Sequence, residues 1–169
     1  LGMYLQKIPE IAILYKPPSH PGLEKALLQK RNRGGANMIP ATASGLRTLY
    51  AHIRAGRGAG VLPDQQPKRG KGEFAPFFGN PALTGVLVPR LVHRTQCLVL
   101  SCVCERLPGG RYRVHMLPVD EAIYSDDLVT SLTAMNKAIE DCIAINVPQY
   151  LWSYRRFKAQ PEGCKDFYD

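Results

Sequence analysis

At 169 residues, 45% apolar and 21% charged, the chain has the size and balance of one folded domain with a substantial core. Its formal net charge of +8 points to anionic partners: nucleic acid, acidic proteins, phosphorylated molecules or anionic membrane surfaces. Five cysteines without a C-x-x-C pair argue against a disulfide framework and a zinc site, and no apolar run approaches the ~18–20 residues of a membrane-spanning helix.

In chain order, residues 11–15 (IAILY) form a β-favouring run closed by Pro17-Pro18. Residues 22–33 fit a helix with Leu23, Leu27 and Leu28 on one side, stopped by Gly34-Gly35. A short strand is expected at residues 37–39. Ser44 is the expected N-cap of a second helix with Leu46, Leu49, Tyr50 and Ile53 on its apolar face and His52 on its polar side. Residues 60–63 return to strand, and a basic loop occupies residues 64–79. Residues 84–94 read as a third helix, kinked near Pro89. Residues 97–104 (CLVLSCVC) are a buried-strand candidate in which Cys102 and Cys104 share a face as small apolar side chains. A turn at Pro108-Gly109-Gly110 folds residues 112–117 back on that strand as a hairpin. The last long helix, capped by Asp126 or Asp127, repeats Leu128, Leu132, Met135, Ile139 and Ile143 at helical intervals until Pro148, and a short aromatic helix runs on to Phe157. Strands alternating with helices predict an α/β fold, a mixed central β-sheet flanked by helices, in a single domain over residues 1–169.

The chemistry gathers in residues 64–79, DQQPKRGKGEFAPFFG. Asp64 and Gln65 stand at the exit of a short strand, where open α/β sheets bind ligands. Lys68, Arg69 and Lys71, interleaved with Gly70 and Gly72, offer cations and exposed N–H groups to a phosphate, with Phe77 and Phe78 as an apolar wall. A solvated basic loop anchored in the core by those two rings is the alternative. Gly56, Gly58 and Gly60 precede a strand rather than a helix, so no dinucleotide fingerprint is formed. His115 and Asp120 make an H-x4-D spacing, but an extended segment holds them roughly 16 Å apart, which reads as a chance match. Trp152, Tyr154, Arg155, Arg156 and Lys158 form a second basic-aromatic cluster, suited to a membrane interface, to stacked bases, or to packing on the sheet.

Three ordered segments resemble the bacterial lipid A biosynthesis acyltransferases, the late lauroyl/myristoyl-transferase family: AILYKPPSHPGLEKALLQKRNRGG, GAGVLPDQQPKRGKGEFAPFFGNPALT and PQYLWSYRRFKAQPEG. That resemblance implies a glycerolipid-acyltransferase-like α/β fold. It also implies transfer of a fatty acyl chain from acyl carrier protein to a hydroxyl of the Kdo-lipid A precursor, at the cytoplasmic face of the inner membrane. Lys16, Arg31, Arg33, Asp64, Gln65, Lys68, Arg69, Lys71, Phe77 and Phe78 would bind substrate. Lys16 stands where the family carries arginine, keeping the charge without bidentate phosphate recognition. The family's general base, in an H-x4-D/E motif, and its membrane helix are expected upstream of Leu1, so no catalytic residue is assigned here and the chain alone is expected not to turn over. No cofactor or metal is expected, and no nucleic-acid partner; the rival reading is a basic nucleic-acid-binding α/β domain.

Overall fold

The computed structural model describes residues 2–5, 10–18, 22, 28–29, 37–68 and 70–168. Two compact units make up the chain, Leu1–Leu62 and Pro63–Asp169.

In the first unit, β1 (Ala12–Tyr15) lies between β2 (Asn37–Pro40) and β3 (Ala59–Gly60), parallel to both. Ile11, Ala12, Tyr15 and Ile39 are buried, as expected of a parallel sheet covered by a helix. That helix is α1 (Ala43–Arg54). Its cap is Thr42 rather than Ser44: the Thr42 hydroxyl accepts from the Gly45 N–H at 3.2 Å. The buried line runs through Gly45, Leu49 and His52, positions separated by four and three residues, so His52 faces inward beside Leu49 instead of outward. Its Nε2 lies 2.7 Å from the Glu10 carbonyl oxygen. Of the helix expected over residues 22–33, Gly22, Leu28 and Gln29 are helical and the remainder lies outside the described residues.

Among its described residues the second unit contains two antiparallel hairpins and two α-helices. Strand β4 (Gly72–Phe77) pairs with β5 (Asn80–Gly85), joined by Phe78 and Gly79, both at positive φ (47° and 74°). Positive φ at both central positions is the type I′ geometry that matches strand twist. Residues 72–77 of the expected basic loop are therefore strand, and its last two residues are the hairpin turn. The third expected helix begins later, as α2 (Leu87–Thr95), which places Pro89 in the first turn, where its missing N–H has no intrahelical acceptor to lose. Strands β6 (Leu100–Leu107) and β7 (Arg111–Pro118) form the expected hairpin around Pro108–Gly110. Helix α3 (Leu128–Ile145) is capped by Asp127, whose carboxylate accepts from the Thr130 N–H and hydroxyl. The segment after α3 is a 3-10 turn, Val147–Gln149, followed by bends rather than an aromatic helix.

The core lies between β4–β5, α2 and α3. Ala75, Val92, Ile123, Leu132 and Met135 form one cluster, and Phe77, Ala82 and Ile143 a second, against which Ile139, Tyr150 and Phe157 pack. The fold is thus α/β as expected, with parallel pairing in one unit and antiparallel pairing in the other. Among the described residues the hydrogen-bonded strands fall into three sets, and no helix is long and apolar enough to cross a membrane.

Candidate functional site

Residues 63–68, 70 and 71 carry no helix or strand, so the tertiary contacts made by this stretch decide its shape. Gln66 anchors it at two points. Its backbone N–H donates to the Tyr154 hydroxyl at 2.8 Å, and its side-chain oxygen accepts from the Ala159 N–H at 3.0 Å. Lys68 and Lys71 flank a tight turn closed by the Lys71 N–H on the Lys68 carbonyl, with Gly70 at φ +77°. Gly72 then enters β4 so close to its partner strand that a Cβ would lie 2.5 Å from the Thr84 carbonyl oxygen and 2.6 Å from Pro67.

This turn opens on a cleft of about 690 Å³ between β4 and the C-terminal segment. Phe74, Leu83, Ala159 and Pro161 give it apolar walls, and Gly70 and Gly72 line it with bare backbone. Lys158 supplies a cation, and Glu73, Glu162 and Asp166 supply hydrogen-bond acceptors. The cleft can accordingly take an amphiphilic ligand with apolar and hydroxyl-bearing parts, while the cations at Lys68 and Lys71 stand in the adjoining turn.

The expected residues are placed unequally. Lys68 and Lys71 are exposed in the turn; Gln65 is exposed and Asp64 half-buried at its start. Lys16 is exposed and follows β1 in the first unit. Arg31, Arg33 and Arg69 lie outside the described residues. Phe77 is not a wall of the cleft. Successive strand residues point to opposite faces, so Ala75 and Phe77 enter the core while Phe74 lines the cleft. Phe78 is exposed at the hairpin tip.

Arg156, expected in a surface cluster, is 3% exposed. Its guanidinium donates to the Leu83 carbonyl at 2.8 Å and to the Thr84 hydroxyl oxygen at 2.9 Å. Asn136 from α3 joins the same network, donating to the Pro76 carbonyl at 2.9 Å and lying within hydrogen-bonding distance of the Thr84 hydroxyl. Burial lowers the Arg156 pKa, while Tyr150, Tyr154 and Asp64 oppose that shift. Burial also raises the Tyr150 pKa, with the Asp64 charge adding to it. Gln66, Asn136, Tyr154 and Arg156 hold the cleft's walls together. Sequence reading missed them in that role because their partners lie between 52 and 93 residues away.

His115 and Asp120 do not pair. Asp120 caps a short turn by accepting from the Ala122 N–H, and the His115 Nε2 lies 2.9 Å from Glu105 Oε2, across the hairpin. Asn146, at the end of α3, reaches the other Glu105 oxygen at 3.4 Å. The His115 hydrogen bond is the main reason that the Glu105 pKa is lowered, and Thr130 does the same for Asp127. Carboxylates with lowered folded-state pKa stabilise the fold above their unfolded values, about 4.3 for Glu and 3.9 for Asp, and that contribution is lost as pH falls further. The melting temperature is therefore expected to drop below about pH 4. Asp127→Asn, which retains capping ability, and Glu105→Gln should each flatten that acid limb in a pH series of thermal melts.

Among the described residues no three His, Cys, Asp or Glu side chains are grouped for a metal ion. Cys97, Cys102, Cys104 and Cys142 are half-buried free thiols, and burial raises the Cys102 pKa, with Cys142 adding to it.

The family described as bacterial lipid A biosynthesis acyltransferase matches residues 2–159. The chain is 28% identical over 157 residues to the lipid A biosynthesis lauroyltransferase of Escherichia coli (strain K12), covering 92% of this chain and 51% of that protein. It is 32% identical over 157 residues to the lipid A biosynthesis palmitoleoyltransferase of the same strain, covering 91% and 50%. A lipid A biosynthesis acyltransferase of Haemophilus influenzae is 26% identical over 157 residues, covering 92% and 48%. The chain thus spans about half the length of the curated relatives it matches.

Proposed function

We infer that this chain, which belongs to the bacterial lipid A biosynthesis acyltransferase family, is the substrate-holding part of an enzyme that acylates a lipid A precursor. The observation that carries the reading is the basic turn at Lys68 and Lys71 opening on a cleft with apolar walls. A Kdo-lipid A precursor has matching parts: anionic groups for the cations, sugar hydroxyls for Glu73, Glu162 and Asp166, and acyl chains for Phe74 and Leu83. We extend the anion-holding set to Lys16, Arg31, Arg33 and Arg69, with Asp64 and Gln65 shaping the start of the turn. On this reading both units belong to one acyltransferase domain working at the cytoplasmic face of the inner membrane.

The reaction proposed is direct acyl transfer. A general base, for which no histidine of this chain is assigned, takes the proton of the acceptor hydroxyl. The hydroxyl oxygen attacks the thioester carbonyl of acyl carrier protein, and the tetrahedral oxyanion collapses to an ester as the carrier thiolate leaves and is reprotonated. Cations near the acceptor offset the developing negative charge. The surplus of basic side chains also suits the acidic carrier protein.

Titration calorimetry with a water-soluble, short-chain analogue of the phosphorylated disaccharide tests the binding claim. The double variant Lys68→Ala, Lys71→Ala is expected to bind on the order of ten-fold more weakly, equivalent to about 1.4 kcal/mol. An unchanged affinity would remove the turn from the site. Tighter binding of an oligonucleotide than of the analogue, with a steep salt dependence, would favour a nucleic-acid-binding domain instead.

A further inference from the structure

The aromatic cluster around Trp152 takes no part in the cleft and exposes more apolar surface than a water-facing segment requires. Leu151 is 67% exposed, Trp152 56%, Val147 48% and Phe78 44%. The Trp152 ring lies 6.4 Å from Phe78 and 4.9 Å from Tyr150, centroid to centroid, so residues from the β4–β5 tip and from the C-terminal segment meet in one patch. Trp152 commits its only polar atom internally, Nε1 donating to the Val147 carbonyl at 2.9 Å, which leaves its exposed surface apolar. Phe78 is held at φ +47°, a conformation that bulky residues rarely adopt, at the tip of a hairpin.

From these observations we propose that the patch of Val147, Leu151, Trp152 and Phe78 is a docking surface for an anionic lipid bilayer. Residues 150–160 contain Arg155, Arg156 and Lys158 and no acid, and Arg155 and Lys158 are exposed. Arg155 follows Trp152 by three residues, and Glu140 reaches the other side of the patch, accepting from the Phe78 N–H. An indole with a cation close along the chain has the composition that settles at the headgroup boundary, with apolar groups entering the acyl region and the cation meeting lipid phosphates. The aliphatic members favour lipid over nucleic acid, because leucine and valine present no face on which a base stacks. The cations disfavour a second copy of the same chain, since Arg155 and Lys158 would meet their own kind. The proposal rests on the reading that this enzyme works at a membrane. Its test is nevertheless separate from the analogue titration, which uses a water-soluble ligand and no lipid.

Trp152 is the only tryptophan, so its fluorescence reports on the patch directly. The chain is titrated with vesicles of phosphatidylcholine alone and with vesicles containing phosphatidylglycerol. A blue shift is expected with the anionic vesicles, together with quenching by lipids brominated on their acyl chains. Leu151→Asp and Phe78→Asp, one in each contributing segment, are expected to weaken partitioning roughly ten-fold or more with unchanged circular dichroism. The aspartate at residue 78 tolerates the left-handed conformation. The proposal is overturned if neither vesicle shifts the emission, if neutral and anionic vesicles act equally, or if both variants partition like the unaltered chain. A shift produced without lipid, by an oligonucleotide or by raising the protein concentration, also overturns it, and identifies the patch as a nucleic-acid or self-association surface.

Discussion

Replacing Arg156 by alanine is expected to destabilise the second unit by about 2–4 kcal/mol. The guanidinium is buried, stacks 5.3 Å from the Phe77 ring centre and donates to two acceptors on β5. Its removal leaves the Leu83 carbonyl with one fewer donor and opens a cavity beside Phe77. Among the described residues Arg156 makes no salt bridge and its Nε has no hydrogen-bond partner, so its burial is compensated only in part. That makes Arg156→Met the informative companion. Methionine fills much of the volume without the charge, and a buried charge lacking full compensation can be replaced by an apolar side chain at little loss. Urea unfolding followed by Trp152 fluorescence separates the cases. Losses that are large for alanine and small for methionine would assign the effect to packing; equal losses would assign it to the hydrogen bonds. Gln66 is tied to Tyr154 and Ala159, on either side of Arg156, so the alanine variant should also speed hydrogen exchange at the Gln66 amide.

How far such features can be read in advance depends on the range of the interactions behind them. Helix α3 was legible because its apolar positions recur at a helical period and Asp127 offers a cap just before them. The β6–β7 hairpin was legible because Pro108-Gly109-Gly110 interrupts two β-favouring runs. The β4–β5 hairpin was not, since its turn is Phe78-Gly79 rather than Asn-Gly or Asp-Gly, and the glycines and charges before Phe74 read as loop. The cations at Lys68 and Lys71 could be found by local chemistry alone. The division of labour between Phe74 and Phe77 could not, because it depends on where the strand begins and which face meets α3. Arg156 misled for a related reason: a run of arginines and aromatics looks like surface until a distant hairpin supplies the acceptors.

Gly45→Ala is expected to destabilise the first unit by about 3 kcal/mol or more, against the local trend. On helix propensity alone, alanine in place of glycine in the first turn of α1 should stabilise by up to about 1 kcal/mol. Here a Cβ at residue 45 would collide with the Pro40 carbonyl oxygen and lie 3.2 Å from Ile39 Cγ2. The Pro40 carbonyl cannot easily yield, because it accepts from the Thr42 N–H at 2.8 Å in the turn that leads into the helix. The helix must move off β2, and with it Leu49 and the His52 contact to Glu10. Gly58→Ala is the control: its Cβ would meet Ile11 Cγ1 at 3.6 Å, an ordinary contact, so a small change is expected. Hydrogen exchange over residues 11–15 and 43–54 should show lost protection in the first variant and near-normal protection in the second. If Gly45→Ala instead raised the melting temperature, the close approach of α1 to the end of β2 would be wrong. The serine beside it would then regain its claim to a role other than flanking the cap, because the tight helix entry after Thr42 depends on that approach.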